Sequence, residues 1–418
     1  MMRSTLPIRL LTAVPLCDGH DSAISTINLE LIRHGIEVIY LGYHRSVRDI
    51  VRAAVQEDVR AVGISSYNGG HVEFFADVVK GLRAEGAGEI TVFGGGGGTI
   101  THVDERAMQR RGVGRIFFPG ESLAEMVECV QRTLGGRRAG EHSKKHTKSS
   151  PDHALAQALT RAELEAAASR TNGRSKGSTR AHTSLRRIEE TSRLLLRPRV
   201  VGFTGPGGAG KTTLIDELVL RLLRRDPACR IGILSHDPSL ASAGALLGDR
   251  ATMIYSQNDR VFMRSLGSRG QAGGLSAATA RCVDILRRVD QLTPAPPFDW
   301  IFVETVGTGQ EALPFAPGMV DVRVLVMSPE YGSRLQLQKI AMLEEADIVA
   351  VNKSDMAQAR TAQSEVGRRL EGTARGGSLV ATVAKRHGDE GVNQLLELLE
   401  SINRSIEPTA LTTARGKS

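Results

Sequence analysis

The sequence predicts an α/β protein made of two doubly wound parallel-sheet domains joined by a basic linker. Three observations carry this. Short β-branched runs alternate with helical patterns over residues 8–134 and again after residue 199, as in chained βαβ units. Between these stretches the composition turns to Ser, Thr, Gly, Lys and Arg. The chain has 418 residues, more than one domain usually spans. No apolar run is long enough to cross a bilayer. Cys17, Cys129, Cys229 and Cys282 are scattered without a C-x-x-C pair, which argues against a metal cluster or disulfide framework and for a cytoplasmic protein. Residues 6–17 are apolar, but Arg9 interrupts them and Asp18 follows at once, so they read as a first strand and not a signal sequence.

The first domain, 1–135, contains five βα units, with strands at 8–14, 36–41, 59–65, 89–93 and 115–118 and helices at 22–34, 47–56, 71–84, 101–111 and 122–134. Ligands of such sheets sit at the carboxyl ends of the strands. The linker, 136–198, is partly disordered and carries a helix at 154–168. Net charge is +8, and the stretch 137–199 alone holds fifteen Lys or Arg against six Asp or Glu, leaving both domains close to neutral. No aromatic residue interleaves those charges, so the segment reads as a solvated tether, with neither nucleic acid nor membrane as a partner. The second domain, 199–404, has strands at 200–204, 230–235, 299–305, 322–327, 348–351 and 378–383, and 405–418 is a flexible tail.

Gly205-Pro206-Gly207-Gly208-Ala209-Gly210-Lys211-Thr212 matches G-x-x-x-x-G-K-[ST] between an apolar strand and a helix opening at Thr213. Gly205, Gly207, Gly208, Ala209 and Gly210 let backbone N–H groups turn inward around phosphate oxygens, and the helix start at Thr213 adds its dipole. Lys211 neutralises the β- and γ-charge, and the Thr212 hydroxyl suits Mg²⁺. Asn352-Lys353-Ser354-Asp355 follows a late apolar strand in the N-K-x-D pattern, where the carboxylate accepts both donors of a guanine edge, so the expected nucleotide is GTP. Asp237 and Glu304 end strands on the phosphate side and are candidates to hold Mg²⁺ directly or through water. Glu304 stands where Asp is usual. Gly307 is placed to offer its N–H to the γ-phosphate, and Gln310 is one of several switch residues that could position the attacking water. Lys211, Glu304 and Gln310 are the candidate catalytic groups.

With Glu304-Thr305-Val306-Gly307, Asp237-Pro238-Ser239, Gly248-Asp249-Arg250 and Asn352-Lys353-Ser354-Asp355 in view, the second half resembles the G-protein chaperones of adenosylcobalamin-dependent acyl-CoA mutases. The runs 326–332 and 337–343 look most like the G domain built into fused isobutyryl-CoA mutases. The resemblance implies Mg²⁺ and nucleotide roles for Asp249 and Thr305 as well. Two departures stand out: Thr252 replaces a second Arg that the family often carries, and the helical dimerisation arm of free-standing chaperones is missing.

In the first domain, Asp18-Gly19-His20-Asp21 lies in the turn after the first strand. His20 can ligate a metal, with Asp18 receiving its other ring N–H. Alone, the motif reads more simply as Asp21 capping a helix beside a solvated histidine. Ser65-Ser66 and the five glycines 94–98, including Gly94, Gly95 and Gly96, fall on the same predicted edge and favour a bulky ligand pressed against the backbone. Together these segments resemble the flavodoxin-like B12-binding domain of the same mutases, over residues 8–134. That resemblance implies His20 as the lower axial ligand of cobalt, with Ser65 and the glycines lining a pocket for the cofactor's displaced dimethylbenzimidazole tail. The family's D-x-H-x-x-G pattern ends here in Ala23. Adenosylcobalamin, GTP and Mg²⁺ are the implied cofactors. A separate large barrel subunit of the mutase is the implied partner, with an adenosyltransferase as a further one. The alternatives are a stand-alone GTPase metallochaperone, a cobalamin carrier or sensor, and an RNA-linked GTPase.

Overall fold

The computed structural model describes residues 6–15, 22–67, 69–96, 98–135, 149–171, 197–240, 243–307, 314–331, 342–371 and 377–404. Among the described residues the strands form two parallel sheets, of order β5-β4-β3-β1-β2-β8 and β13-β12-β11-β6-β10-β7-β9, with β10 at Trp300–Glu304. This is the predicted fold class. The chain divides into two compact units, 1–198 with 228–301, and 199–227 with 302–418.

In the first unit, β1 (Arg9–Ala13) lies between β2 (Glu37–Tyr40) and β3 (Ala61–Ser65), followed outward by β4 (Thr91–Gly95) and β5 (Arg115–Phe117). Helix α1 (Ser22–Arg33) and α5 (Leu123–Gly135) pack together, as do α2 (Val47–Gln56) and α3 (His71–Ala84). The helix boundaries follow local chemistry. Ser46 accepts from the Asp49 N–H while Asp49 accepts from the Ser46 N–H, and Thr101 and Asp104 repeat this reciprocal cap at the start of α4 (His102–Arg110). Helix α2 then buries Ile50, Val51, Ala53, Ala54 and Val55 on one face.

Two strands were not expected. β8 (Ala245–Leu247) extends the first sheet at its β2 edge, in the register Glu37↔Ala245 to Ile39↔Leu247. β9 (Val261–Gly267) pairs along its full length with β7 (Ile231–Asp237). Both escape a reading of β-branched runs for identifiable reasons: β8 has only three residues, and β9 carries Arg264 in its middle, fully buried.

The helix expected in the linker exists as α6 (Pro151–Thr171), but it is no solvated tether. Leu155, Ala156, Leu159 and Ala162 are buried, and α6 packs on α2 and on α9 (Thr279–Arg287). Its Glu163 meets Arg264 at 2.7 Å and Arg269 at 3.0 Å; Arg269 and Arg9 share Glu37, and Arg9 reaches Glu57 at 2.6 Å. Burial pushes the Glu163 carboxyl up, but Arg264, Arg269 and Arg9 outweigh it and hold it at about 2. Buried charges of both signs thus join α6, β1, β2 and β9.

In the second unit, β6 (Arg199–Thr204), β11 (Val322–Met327), β12 (Ile348–Val351) and β13 (Ser378–Ala381) are contiguous. Helix α7 (Lys211–Arg225) follows β6, and Leu214, Ile215, Leu218 and Val219 on it are buried.

Candidate functional site

Ser65, Gly94, Gly95 and Gly96 line a single cleft of about 240 Å³ at the carboxyl ends of β3 and β4. Further walls include Leu10 and Thr12 of β1, Gly63 of β3, Ala23, Ile24 and Ile27 of α1, and Val127 of α5. The cleft therefore runs between the sheet and two helices and is mainly apolar. The Thr12 hydroxyl borders it, buried and with no hydrogen-bond partner among the described residues. A flat heteroaromatic group with one ring acceptor fits such walls. Asp18 and His20, which follow β1 in the sequence, lie outside the described residues.

The glycines have a cause that the sequence reading missed. A Cβ on Gly94 falls 2.1 Å from Phe75 Cε1, and one on Gly96 falls 1.9 Å from the Ser66 carbonyl. The chain's own packing demands these two glycines, not a ligand pressing on them. Gly63 behaves differently. A Cβ there meets only Thr12 Cγ2 at 3.6 Å and Leu10 Cδ2 at 3.7 Å among side chains, ordinary contacts, so the space its missing side chain leaves belongs to the cleft.

In the second unit the phosphate loop has the expected shape. Gly205, Gly208 and Gly210 have φ of 141°, 74° and 88°, which glycine adopts without strain. Gly205 is also fixed by contact, since a Cβ falls 2.0 Å from the Val326 carbonyl. Ala209 is buried, Thr213 is exposed on the first turn of α7, and Lys211 donates to the carbonyls of Gly205 at 3.1 Å and Pro206 at 3.2 Å. The Thr212 hydroxyl donates to Glu304 Oε1 at 2.7 Å, which brings the expected magnesium hydroxyl and carboxylate together. Gly307 comes so close to Gly207 that a Cβ falls 2.5 Å from its Cα, so the residue expected at the γ-phosphate lies against the loop. The Thr305 hydroxyl is engaged with Thr204 at 3.2 Å and the Val306 carbonyl at 3.0 Å. Gln310 lies outside the described residues.

Asn352 holds two loops together. Its Nδ2 donates to the Ala209 carbonyl at 2.9 Å, and its Oδ1 accepts from Thr382 Oγ1 at 3.1 Å and the Ala384 N–H at 3.0 Å. Lys353 has φ of 58°. Asp355 pairs with Lys385 at 2.5 Å, and this bond holds its carboxyl below the usual carboxylate range. Thr382, Ala384 and Lys385 were not picked out from the sequence; the signal was a small polar residue, Ala and Lys directly after the last strand.

The two remaining magnesium candidates belong to the first unit. Asp237 ends β7, and Asp249 opens the one-turn helix α8 (Asp249–Thr252), where its carboxylate accepts from the Ser235 hydroxyl.

A glycine-turned phosphate loop, a Thr–Glu pair beside it and a carboxylate on an N-K-x-D turn define a P-loop GTPase fold, carried in one chain with a B12-type cleft in a parallel sheet. The chain belongs to the methylmalonyl-CoA mutase-associated GTPases, MeaB, whose family profile matches residues 155–418. The B12 binding domain profile matches residues 8–128. Fused isobutyryl-CoA mutases are similar over nearly the whole chain: 37% identity over 98% of it in Cupriavidus metallidurans, 35% over 95% in Geobacillus kaustophilus and 37% over 87% in Nocardia farcinica. The chain spans 37%, 37% and 32% of those relatives' lengths.

Proposed function

We propose that this chain is the cobalamin-binding subunit of an adenosylcobalamin-dependent acyl-CoA mutase, of isobutyryl-CoA or methylmalonyl-CoA type, joined to its own GTPase chaperone. The observation that carries the reading is the apolar cleft between β1, β3, β4 and the helices α1 and α5, in a chain that also holds a guanine-type P-loop. Residues 1–135 take the cofactor, 136–198 connect, and 199–404 act on GTP. His20 holds cobalt with Asp18 on its other ring nitrogen, while Ser65, Gly63 and Thr12 receive the nucleotide tail. Adenosylcobalamin supplies a weak cobalt–carbon bond, and the substrate pocket comes from a separate barrel subunit.

On the nucleotide side, Thr212, Glu304, Asp237, Asp249 and Thr305 serve Mg²⁺. Lys211 and the loop N–H groups hold the phosphates, and Gln310 orients water. Asp355 reads the base once Lys385 yields. GTP binding and hydrolysis gate cofactor loading and protection, with an adenosyltransferase as the donor of cofactor, in the cytoplasm.

Reconstitution tests this reading. Mixing the chain with a barrel-type large subunit, adenosylcobalamin and isobutyryl-CoA or methylmalonyl-CoA is expected to give isomerised acyl-CoA only when all components are present. A chain that binds the cofactor yet supports turnover with neither substrate type is a carrier, and the subunit assignment is then wrong.

A further inference from the structure

Strand β1 lies inside its sheet, between β2 and β3, and presents alternate side chains to the two faces. Leu11 and Ala13 enter the core on the side of α2 and α3, while Leu10 and Thr12 line the cleft. The walls there are hydrocarbon, with Phe93 on β4 and Val127 and Val130 on α5 packed into one cluster with Leu10. Thr12 is 1% exposed, and its hydroxyl finds no hydrogen-bond partner among the described residues. A valine would fill nearly the same volume and leave no polar atom unpaired. A buried hydroxyl without a partner is destabilising, so packing alone does not account for a threonine at this position. On β3 its neighbour in register is Gly63, and a Cβ there would fall 3.6 Å from Thr12 Cγ2. One χ1 step exchanges the methyl and the hydroxyl, which turns the hydroxyl toward the space beside Gly63.

We propose, resting on the cobalamin reading above, that Thr12 is a specificity-determining residue for the lower base of the cofactor. It selects cobamides whose base carries a free ring nitrogen over those whose base is a phenol. A nitrogen heteroaromatic base gives the hydroxyl an in-plane acceptor and gives the walls a flat apolar face. A phenolic base, linked through its oxygen, presents a hydrocarbon edge, and binding it seals the hydroxyl away unpaired. Discrimination therefore comes mainly from the penalty on the wrong base, as in other sites built to hydrogen-bond their ligand. Ser65 supplies a second hydroxyl to the same cleft. Thr12→Val leaves Ser65 in place, so the change it produces is that of Thr12 alone.

Calorimetric titration of the purified full chain tests this with three ligands. Adenosylcobalamin has a dimethylbenzimidazole base, adenosyl-p-cresolylcobamide has a phenolic base, and adenosylcobinamide has no base. The wild-type chain is expected to bind adenosylcobalamin more tightly than the p-cresolyl form by about tenfold or more. Thr12→Val should cut that preference by about tenfold while leaving adenosylcobinamide affinity within about twofold of wild type. Thr12→Ser, which keeps the hydroxyl and loses the methyl, should keep the wild-type order of preference. Without ligand, Thr12→Val should unfold at a urea concentration no lower than wild type, because it removes a hydroxyl that nothing in the protein satisfies. Equal wild-type affinity for the two base-bearing ligands overturns the proposal, as does an equal loss for all three ligands in Thr12→Val. Earlier unfolding of Thr12→Val in urea also contradicts it. A wild-type chain that binds none of the three overturns the cobalamin reading itself, a separate and recognisable result.

Discussion

The phosphate loop and the cobalamin-type cleft are both rich in glycine, yet glycine does different work in each. In the loop, Gly205, Gly208 and Gly210 adopt positive φ, and the turn itself requires them. In the cleft, Gly94 and Gly96 leave room for Phe75 and the Ser66 carbonyl, while a Cβ at Gly63 would meet only ordinary contacts. One motif is a conformation, the other a set of vacancies, and of these only the one at Gly63 is left unfilled by the chain's own packing. That contrast explains why the loop could be read from an eight-residue pattern, whereas the cleft needed a resemblance to make sense of its glycines.

The comparison can be broken most severely at Lys211. Lys211→Ala should lower GTP hydrolysis by about a hundredfold or more while the absorbance spectrum of added adenosylcobalamin is unaffected; loss of both signals together would mean the two sites are not separable. Next, Gly63→Leu should weaken cobalamin binding by about tenfold or more, because a fully buried Leu occupies space comparable to part of the ligand, with GTP hydrolysis kept near wild type. Unchanged cofactor affinity in a titration would remove Gly63 from the cleft's function. The mildest contrast is between glycines on neighbouring strands: Gly94→Ala should cost about 1–3 kcal/mol in urea unfolding through overpacking against Phe75, and Gly63→Ala should cost less than about 0.5 kcal/mol.

Charge supplies a further contrast, because α6 holds its place through Glu163 as well as through apolar contacts. The folded-state pKa of Glu163 is lowered from 4.5 to about 2. Its contribution to stability is therefore complete above pH 4.5 and is lost as pH falls from there through about 2. Glu163→Gln, which leaves Arg264 buried without its partner, should destabilise by about 3–5 kcal/mol at neutral pH. It should also flatten the acid limb of a pH–stability curve measured by thermal melts.

Much of this was legible in the sequence. The five βα units, the P-loop and the N-K-x-D turn all rest on local patterns that survive into the fold, and the MeaB and B12 binding domain profiles match the halves in which those patterns lie. What escaped depends on distant partners. The burial of α6 was hidden because its inward face includes Thr160 and Glu163 beside alanines, residues that look solvated until Arg264 is placed opposite them. β9 was hidden by that same Arg264. β8 is too short to announce itself and exists because β2 has a free edge for it. The tie from Asn352 to Thr382 and Ala384 spans thirty residues and could be seen only once both loops were folded.

Cobalamin binding by this chain is expected to depend on both His20 and the apolar cleft of the first sheet. Titrating adenosylcobalamin into the purified full chain and into His20→Ala, and recording the visible absorbance spectrum of each, tests this most directly. A base-off, histidine-ligated spectrum is expected for the wild-type chain and should disappear in His20→Ala. A cofactor spectrum unchanged from that in free solution, or identical in the two proteins, would contradict it.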